Sequence, residues 1–274
     1  MDFSYYETLS NFWLKIENLN SELPESLLPE VESTILKLNF HLITFNKCIT
    51  EFHRLAINRS LLNGENKRLS EVKWLFPRDP KTVNNYGRMN LKDQTIFYGS
   101  FILATLINEV KPKIGDRVTV SSWRLRDSNT EILVFPTFDP KKLDPNFISA
   151  QDLFFEILKS YPVGTKNVLV AQQELLSNVF SKKISIKNNY VFGASIANNI
   201  FTKAYDGKIE AIIYPSVQDT SKITNIAIKP RVVLEKYELT SIREYKIINN
   251  SDRLKHLEPT GFSKGIRDGI IQWN

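Results

Sequence analysis

The sequence of 274 residues contains few of the side chains that build disulfide frameworks and metal sites. It has one cysteine, Cys48, and three histidines, His41, His53 and His256. A single cysteine excludes an internal disulfide, and no histidine lies at a spacing that would complete a zinc site with it. We therefore predict a chain that folds without disulfides or metal, and we expect a reducing, cytoplasmic setting.

Long apolar runs and a basic leader are also absent. The longest apolar stretch, residues 95–107, is shorter than the ~20 residues that a membrane helix needs. The start Met1-Asp2-Phe3-Ser4 lacks the positive charge of a secretory signal, so we expect no membrane attachment. Hydrophobic residues make up 42% and charged residues 24% of the chain, which is typical of a globular protein with a buried core.

Several common catalytic and nucleotide-binding motifs are missing. The sequence has no G-x-G-x-x-G after a predicted strand, no G-x-x-x-x-G-K-[ST], no G-x-S-x-G and no H-E-x-x-H. An enzyme with this sequence would therefore use neither a Rossmann cofactor site nor a metal-hydrolase site.

The net charge of +6 and the pI of about 9.2 favour an anionic partner, either nucleic acid or a small molecule. Lys and Arg are interleaved with Asp and Glu along the whole chain, whereas a dedicated nucleic-acid surface usually shows clustered basic residues with aromatic residues between them. We predict a mixed-charge surface. A non-enzymatic basic module that binds nucleic acid is the less favoured alternative.

Residues 1–50 predict two helices. Apolar residues recur at steps of three and four within 5–16 and again within 31–42, and two prolines lie between these segments. Such an extension either caps the main domain or binds a partner. We favour the cap.

The next segments predict a strand, a loop, a second strand and an apolar helix. Residues 51–57 and 95–100 have strand character, 58–70 is a polar loop, and a helix over 101–109 would be buried on nearly all sides. The helix ends in Glu109. Since a buried carboxylate is costly without a partner, we expect Glu109 either to emerge at the helix end or to meet a hydrogen-bond donor.

The second half of the chain mixes both kinds of element. Alternation within 118–123 and 132–135 predicts a hairpin, and a strand over 207–217 is expected to pair with 225–228. No helix or strand is assigned to the tail beyond Tyr245. Its last apolar residues could dock on the domain. The predicted helices cover residues 150–160, 166–180 and 190–204.

Six short segments together resemble the RES domain family, which is named for its Arg, Glu and Ser residues. The resemblance lies in their order and spacing and covers roughly residues 50 to 235. It predicts an N-terminal helical extension at 1–50, a RES domain at 51–250 and a C-terminal tail at 251–274. The segments are Phe52-His53-Arg54, Gly87-Arg88-Met89-Asn90, Ile96-Phe97-Tyr98, residues 104–109, Ile212-Ile213-Tyr214-Pro215-Ser216 and Asn225-Ile226-Ala227-Ile228.

The resemblance implies an α+β fold like that of ADP-ribosyltransferases, with mixed and antiparallel sheets and flanking helices. It implies a toxin or defence effector that cleaves the nicotinamide–ribose bond of NAD by hydrolysis or phosphorolysis, with NAD as substrate. Transfer of ADP-ribose to a protein acceptor is the alternative. A helix-turn-helix antitoxin, which neutralises many members, would be a partner. The acceptor, the target and the oligomeric state are left open.

The resemblance also assigns site residues one by one. Arg88 matches the arginine of the family's G-R-[FWM]-N motif, and Tyr98 matches the tyrosine of the following strand. Glu109 matches the helix glutamate, and Ser216 matches the serine of the Y-P-S motif. Arg54 resembles the early arginine of the first strand.

Each matched residue has a predicted role. Cleavage produces an oxocarbenium-like centre, which Glu109 would stabilise. Arg54 and Arg88 would bind the pyrophosphate, because a guanidinium offers two-point hydrogen bonding to phosphate oxygens. Tyr98 would stack on nicotinamide, and Ser216 would bind the ribose or hold Glu109. The structural alternatives are an Arg88–Glu109 ion pair, a core aromatic at Tyr98 and a strand-end cap at Ser216.

Overall fold

The computed structural model describes residues 4–17, 21–182, 184, 187–216, 224–249 and 257–274. His256 and residue 217 of the predicted strand lie outside this part of the chain. The described helices are α1 (Ser4–Glu17), α2 (Leu28–Leu36), α3 (Asn58–Leu61), α4 (Leu103–Val110), α5 (Ile148–Leu158), α6 (Val163–Ser181), α7 (Val191–Thr202) and α8 (Pro230–Lys236). The described strands are β1 (Phe45–Lys47), β2 (Glu51–Ile57), β3 (Phe97–Ser100), β4 (Arg117–Leu125), β5 (Ile132–Pro136), β6 (Ala211–Pro215), β7 (Thr224–Ile228), β8 (Tyr237–Ile247), β9 (Leu257–Arg267) and β10 (Ile270–Trp273).

The fold is α+β, as the sequence predicts. The strands form one mixed sheet in the order β1-β5-β6-β7-β3-β2-β4-β8-β9-β10, with helices flanking it. Within the described strands only β5 and β6 pair in parallel, and the predicted pairing of β6 with β7 is confirmed as antiparallel. The helices predicted over 150–160, 166–180 and 190–204 are confirmed as α5, α6 and α7.

The two faces of the sheet carry separate apolar cores. Because successive side chains of a strand point to opposite faces, Tyr98 and Phe97 on β3 belong to different cores. Tyr98 packs with the core that contains α7 and parts of α1, α2 and α6. Phe97 packs with the core that contains Trp123 and parts of α5 and α8.

The two N-terminal helices are confirmed, and they pack directly over the buried helix α7. The ring of Trp13 on α1 stacks on Phe192, with 5.6 Å between the centroids. Asn199 of α7 donates hydrogen bonds to the carbonyls of Ile35 and Leu38 at the end of α2, at 2.7 and 2.9 Å. Both carbonyls lie at or just beyond the helix terminus, where fewer intrahelical donors are available. The extension therefore shares a core with the sheet, as expected of a cap.

The predicted hairpin is wrong. β4 pairs with β2 and β8, whereas β5 pairs with β1 and β6, so the two strands lie far apart in the sheet. Alternation identifies a strand but not its partner. Both strands are largely buried. Each has a neighbour on both sides, so neither leaves an edge to which the other could pair.

Two local predictions are corrected. The segment expected to be a loop at 58–70 begins with the short helix α3. Helix α4 is not buried on nearly all sides, because Ala104 is exposed while Leu106 and Ile107 pack on the sheet. The tail beyond Tyr245, which the sequence left unassigned, contains strands: β8 continues to Ile247, and β9 and β10 extend the sheet.

Candidate active site

The carboxylate of Glu109 is held by two side chains from distant parts of the chain. Its Oε1 accepts a hydrogen bond of 2.6 Å from Ser216 Oγ and one of 3.0 Å from Asn225 Nδ2. The partly buried Glu109 lies in the last turn of α4. The helix ends at Val110, and the next residue, Lys111, has a left-handed backbone conformation. Of the two outcomes expected for this carboxylate, emergence at the helix end or contact with a donor, the structure shows contact with donors.

Strand pairing explains why these two donors meet. Asn225 on β7 lies opposite Tyr214 on β6 and opposite Ser100 on β3. Ser216 follows Pro215 at the end of β6, and a proline cannot donate to a continuing ladder. Pro215 lies opposite Thr224, so Ser216 is placed near the start of β7, and it contacts Glu109 at the end of α4.

Tyr98 organises the loop that precedes its own strand. Its hydroxyl donates to Asn90 Oδ1 at 2.9 Å and accepts from the backbone N–H of Met89 at 2.8 Å. Burial raises the pKa of Tyr98, so the phenol stays neutral and keeps its proton. Gly87 is required here, because a Cβ atom would overlap the side chain of Asn90 and come 3.2 Å from the Tyr98 hydroxyl.

Arg88 belongs to the loop before β3, and its guanidinium reaches the C-terminal end of α6. Its Nη1 donates to the carbonyls of Phe180 and Lys182, at 2.7 and 2.8 Å, and these are groups that a helix terminus leaves without partners. The guanidinium carbon also lies 5.8 Å from the ring centroid of Tyr190. Among the described residues Arg88 forms no ion pair with Glu109, so that structural alternative is wrong.

Electrostatics link the predicted residues through Tyr214. Burial raises the pKa of this tyrosine, while the charge of Arg88 acts to lower it. Tyr98, Glu109 and Tyr190 each act to raise it further. All of these groups are thus close enough to influence one buried phenol on β6, and Arg88, Tyr98, Glu109 and Ser216 belong to one neighbourhood.

Arg54 differs from the other four predicted residues. β2 pairs with β3 at His53 and Ser100, so His53 shares the face of Tyr98 and the neighbouring Arg54 points to the opposite face. Its guanidinium carbon lies 4.4 Å from the ring centroid of Phe97. Burial and the nearby charge of Arg78 lower the pKa of Arg54 to about 10. Its predicted role in binding pyrophosphate stays a prediction.

The sequence analysis did not assign site roles to Asn225, Asn90 or Tyr214. A signal existed for Asn225, since a polar amide that opens a strand of Ile and Ala needs a buried partner. Asn90 likewise lies within the quoted Gly87–Asn90 segment. Tyr214 could not be recognised, because a tyrosine in an apolar strand is usually a core residue.

Two further features concern metals and membranes. Within the described ranges no group of three or more His, Cys, Asp or Glu side chains is arranged to hold a metal ion. No helix in the same part of the chain is long and apolar enough to cross a membrane.

The chain matches no protein-family model, and no curated protein matches its sequence. The resemblance to RES domains therefore rests on the quoted motifs themselves.

Proposed function

We propose that this chain is a RES-type enzyme that consumes NAD by cleaving the bond between nicotinamide and ribose. The observation that carries the proposal is the Glu109 carboxylate, which Ser216 and Asn225 hold in a fixed orientation. Those three residues come from three of the six segments that resemble the family. A carboxylate positioned in advance suits a reaction that develops positive charge.

In this proposal the negative charge of Glu109 stabilises the oxocarbenium-like ribose as nicotinamide leaves. Ser216 acts on Glu109 rather than on the substrate, since its hydroxyl is donated to the carboxylate. Asn225 has the same positioning role. Both of these donors are neutral, so neither of the two bonds cancels the negative charge that acts on the transition state.

Arg88 serves the pyrophosphate in this proposal. A guanidinium has five N–H donors, and the two on Nη1 are used by the Phe180 and Lys182 carbonyls. Nε and Nη2 keep three donors for phosphate oxygens. The carbonyl contacts fix the guanidinium plane, which lowers the entropy lost when a phosphate binds.

The remaining expectations belong to the same proposal. Tyr98 offers its ring to nicotinamide while its hydroxyl holds the preceding loop. The setting is cytoplasmic, and the enzyme acts as a toxin or defence effector with a helix-turn-helix antitoxin as partner. A protein acceptor would make it an ADP-ribosyltransferase.

Incubation of the purified chain with NAD tests the proposal, with products identified by mass spectrometry. Free ADP-ribose indicates hydrolysis, and ADP-ribose phosphorylated at the anomeric carbon, formed when phosphate is added, indicates phosphorolysis. Labelled NAD in a lysate separates both from transfer to protein. Intact NAD under every one of these conditions would overturn the proposal.

Glu109→Gln is the decisive variant, because it keeps an oxygen for Ser216 and Asn225 but removes the charge. We expect NAD consumption to fall by about 100-fold or more. Glu156→Gln is the matched control: it removes the same charge from an exposed position on α5 and should leave turnover unchanged. Equal turnover in Glu109→Gln and wild type would remove Glu109 from the reaction.

A further inference from the structure

A cleft of about 460 Å³ lies on the sheet beside the beginning of α4, and none of the residues proposed for the NAD reaction lines it. Its floor is formed by β2, β4 and β8, and Leu103 of α4 contributes to its wall. The polar and charged residues that matter for its chemistry are His53, Ser122, Ser241, Arg243, Arg124 and Glu51.

Three of these residues lie side by side across neighbouring strands. His53 on β2 is opposite Ser122 on β4, and Ser122 is opposite Ser241 on β8. Paired residues of antiparallel strands share one face, so the three side chains form a row. Ser241 Oγ donates to Ser122 Oγ at 3.0 Å, and Ser122 Oγ lies 2.9 Å from His53 Nδ1.

The contact with Ser122 determines which imidazole nitrogen is left for a ligand. Ser122 Oγ occupies the Nδ1 side of His53, so Nε2 is the ring nitrogen left for a ligand in the cleft. When the Ser122 hydroxyl donates to Nδ1, the imidazole carries its hydrogen on Nε2 and offers that N–H to the ligand.

The charges of the cleft leave one cation uncompensated. Arg124 is paired with Glu51 at 3.2 Å, so these two largely cancel. Arg243 is exposed and forms no ion pair within the described residues. A guanidinium together with neutral N–H and O–H donors is the combination that recognises phosphate oxygens.

We propose that this cleft binds a phosphate group, with Arg243 and His53 as its direct donors and the Ser122–Ser241 pair fixing the imidazole. Asn225 pairs with Ser100, and Ser100 pairs with His53. Two strand spacings, about 10 Å, therefore separate the cleft from a residue that holds Glu109. The phosphate belongs either to free inorganic phosphate or to a nucleotide, and phosphate recognition here does not depend on the proposed NAD reaction.

Calorimetric titration of the whole chain with inorganic phosphate and, separately, with AMP tests this proposal at constant low ionic strength. We expect Arg243→Gln and His53→Gln to weaken binding at least tenfold. Arg267→Gln is the matched control, since it removes the same charge from an exposed position on β9 outside the cleft. Its affinity should equal that of wild type. Thermal melts verify that each variant is folded.

Binding of both probes with similar affinity identifies inorganic phosphate as a sufficient ligand, and binding of AMP alone identifies a nucleotide phosphate. Either result supports the proposal when Arg243→Gln weakens it. The proposal is overturned by a wild-type chain that binds neither probe at millimolar concentration, or by variants that bind as wild type does. An equal loss in Arg267→Gln also overturns it, because the effect would then be general charge. Glu109→Gln should retain binding, so a failed NAD reaction leaves this result intact.

Discussion

The hydroxyl of Ser216 donates a 2.6 Å hydrogen bond to Oε1 of Glu109, although 107 positions separate the two residues in the sequence. The bond joins the end of β6 to the last turn of α4. The orientation of the carboxylate therefore depends on the sheet that brings β6 and β3 together through β7.

Removing this hydroxyl should impair the reaction without removing the carboxylate. A hydrogen bond to a charged group contributes about 1.5–3 kcal/mol, so Ser216→Ala should lower kcat for NAD consumption by about 10- to 100-fold. KM should change little, because Ser216 is proposed to touch Glu109 and not NAD. Ser216→Thr, which keeps a hydroxyl, should recover much of the loss. A wild-type kcat in Ser216→Ala would contradict the positioning role.

The Tyr98 hydroxyl should contribute to stability as well as to the site. Tyr98→Phe leaves the N–H of the fully buried Met89 without its acceptor and Asn90 without its donor. We expect the free energy of unfolding to fall by about 1–3 kcal/mol, measured by urea denaturation. Tyr205→Phe is the control. Its hydroxyl donates to the carbonyl of Leu42 and the residue is half exposed, so the loss of stability should be smaller.

Gly87 should not tolerate a side chain. Gly87→Ala would drive a Cβ atom into Asn90 and toward the Tyr98 hydroxyl, displacing the loop that carries Arg88. We expect a lower melting temperature and loss of NAD consumption. Gly164→Ala should raise the melting temperature. A Cβ at this position in α6 meets nothing within 4 Å, and alanine favours a helix over glycine by roughly 0.5–1 kcal/mol. Equal melting temperatures for the two variants would refute the steric argument.

Arg54 allows its structural and functional roles to be separated. Since burial disfavours its charge, Arg54→Met should keep the free energy of unfolding within about 1 kcal/mol of wild type, the lost contact with Phe97 being offset by relief of desolvation. A raised KM for NAD in this stable variant would support the pyrophosphate role. An unchanged KM would remove Arg54 from the site.

The N-terminal cap should be energetically important. Trp13 is buried against Phe192, so Trp13→Ala should lower the free energy of unfolding by about 3–5 kcal/mol. Leu14→Ala, at the adjacent and exposed position, should change it by less than about 0.5 kcal/mol. Chemical denaturation of both variants measures the difference. Similar small effects would indicate that the extension does not share the main core.

Much of the local structure could be predicted from periodicity. The spacing of apolar residues predicts most of the elements correctly. These are the two N-terminal helices, β2, β3, α4, the helices from α5 to α7 and the β6–β7 pair. The predicted pairing of β4 with β5 is wrong, and the spacing does not predict β9 and β10. β9 is largely polar and contains two glycines, and β10 has only four residues. Their strand structure comes from the pairing of β9 with β8 and of β10 with β9 rather than from an extended apolar pattern.

For the candidate site, too, one part follows from the sequence and another part only from the tertiary structure. The sequence by itself determined that a carboxylate at position 109 must either emerge at the helix end or meet a donor, because desolvation cost is a property of the group. The other candidate residues came from the resemblance of short motifs to a known family. Only the tertiary structure decided that Ser216 and Asn225 are the donors to that carboxylate, and that Arg54 lies on the face of the sheet opposite Tyr98. Strand register determines both outcomes. It is established by pairing between separate segments, such as β2 with β3 and β3 with β7, which no local pattern encodes.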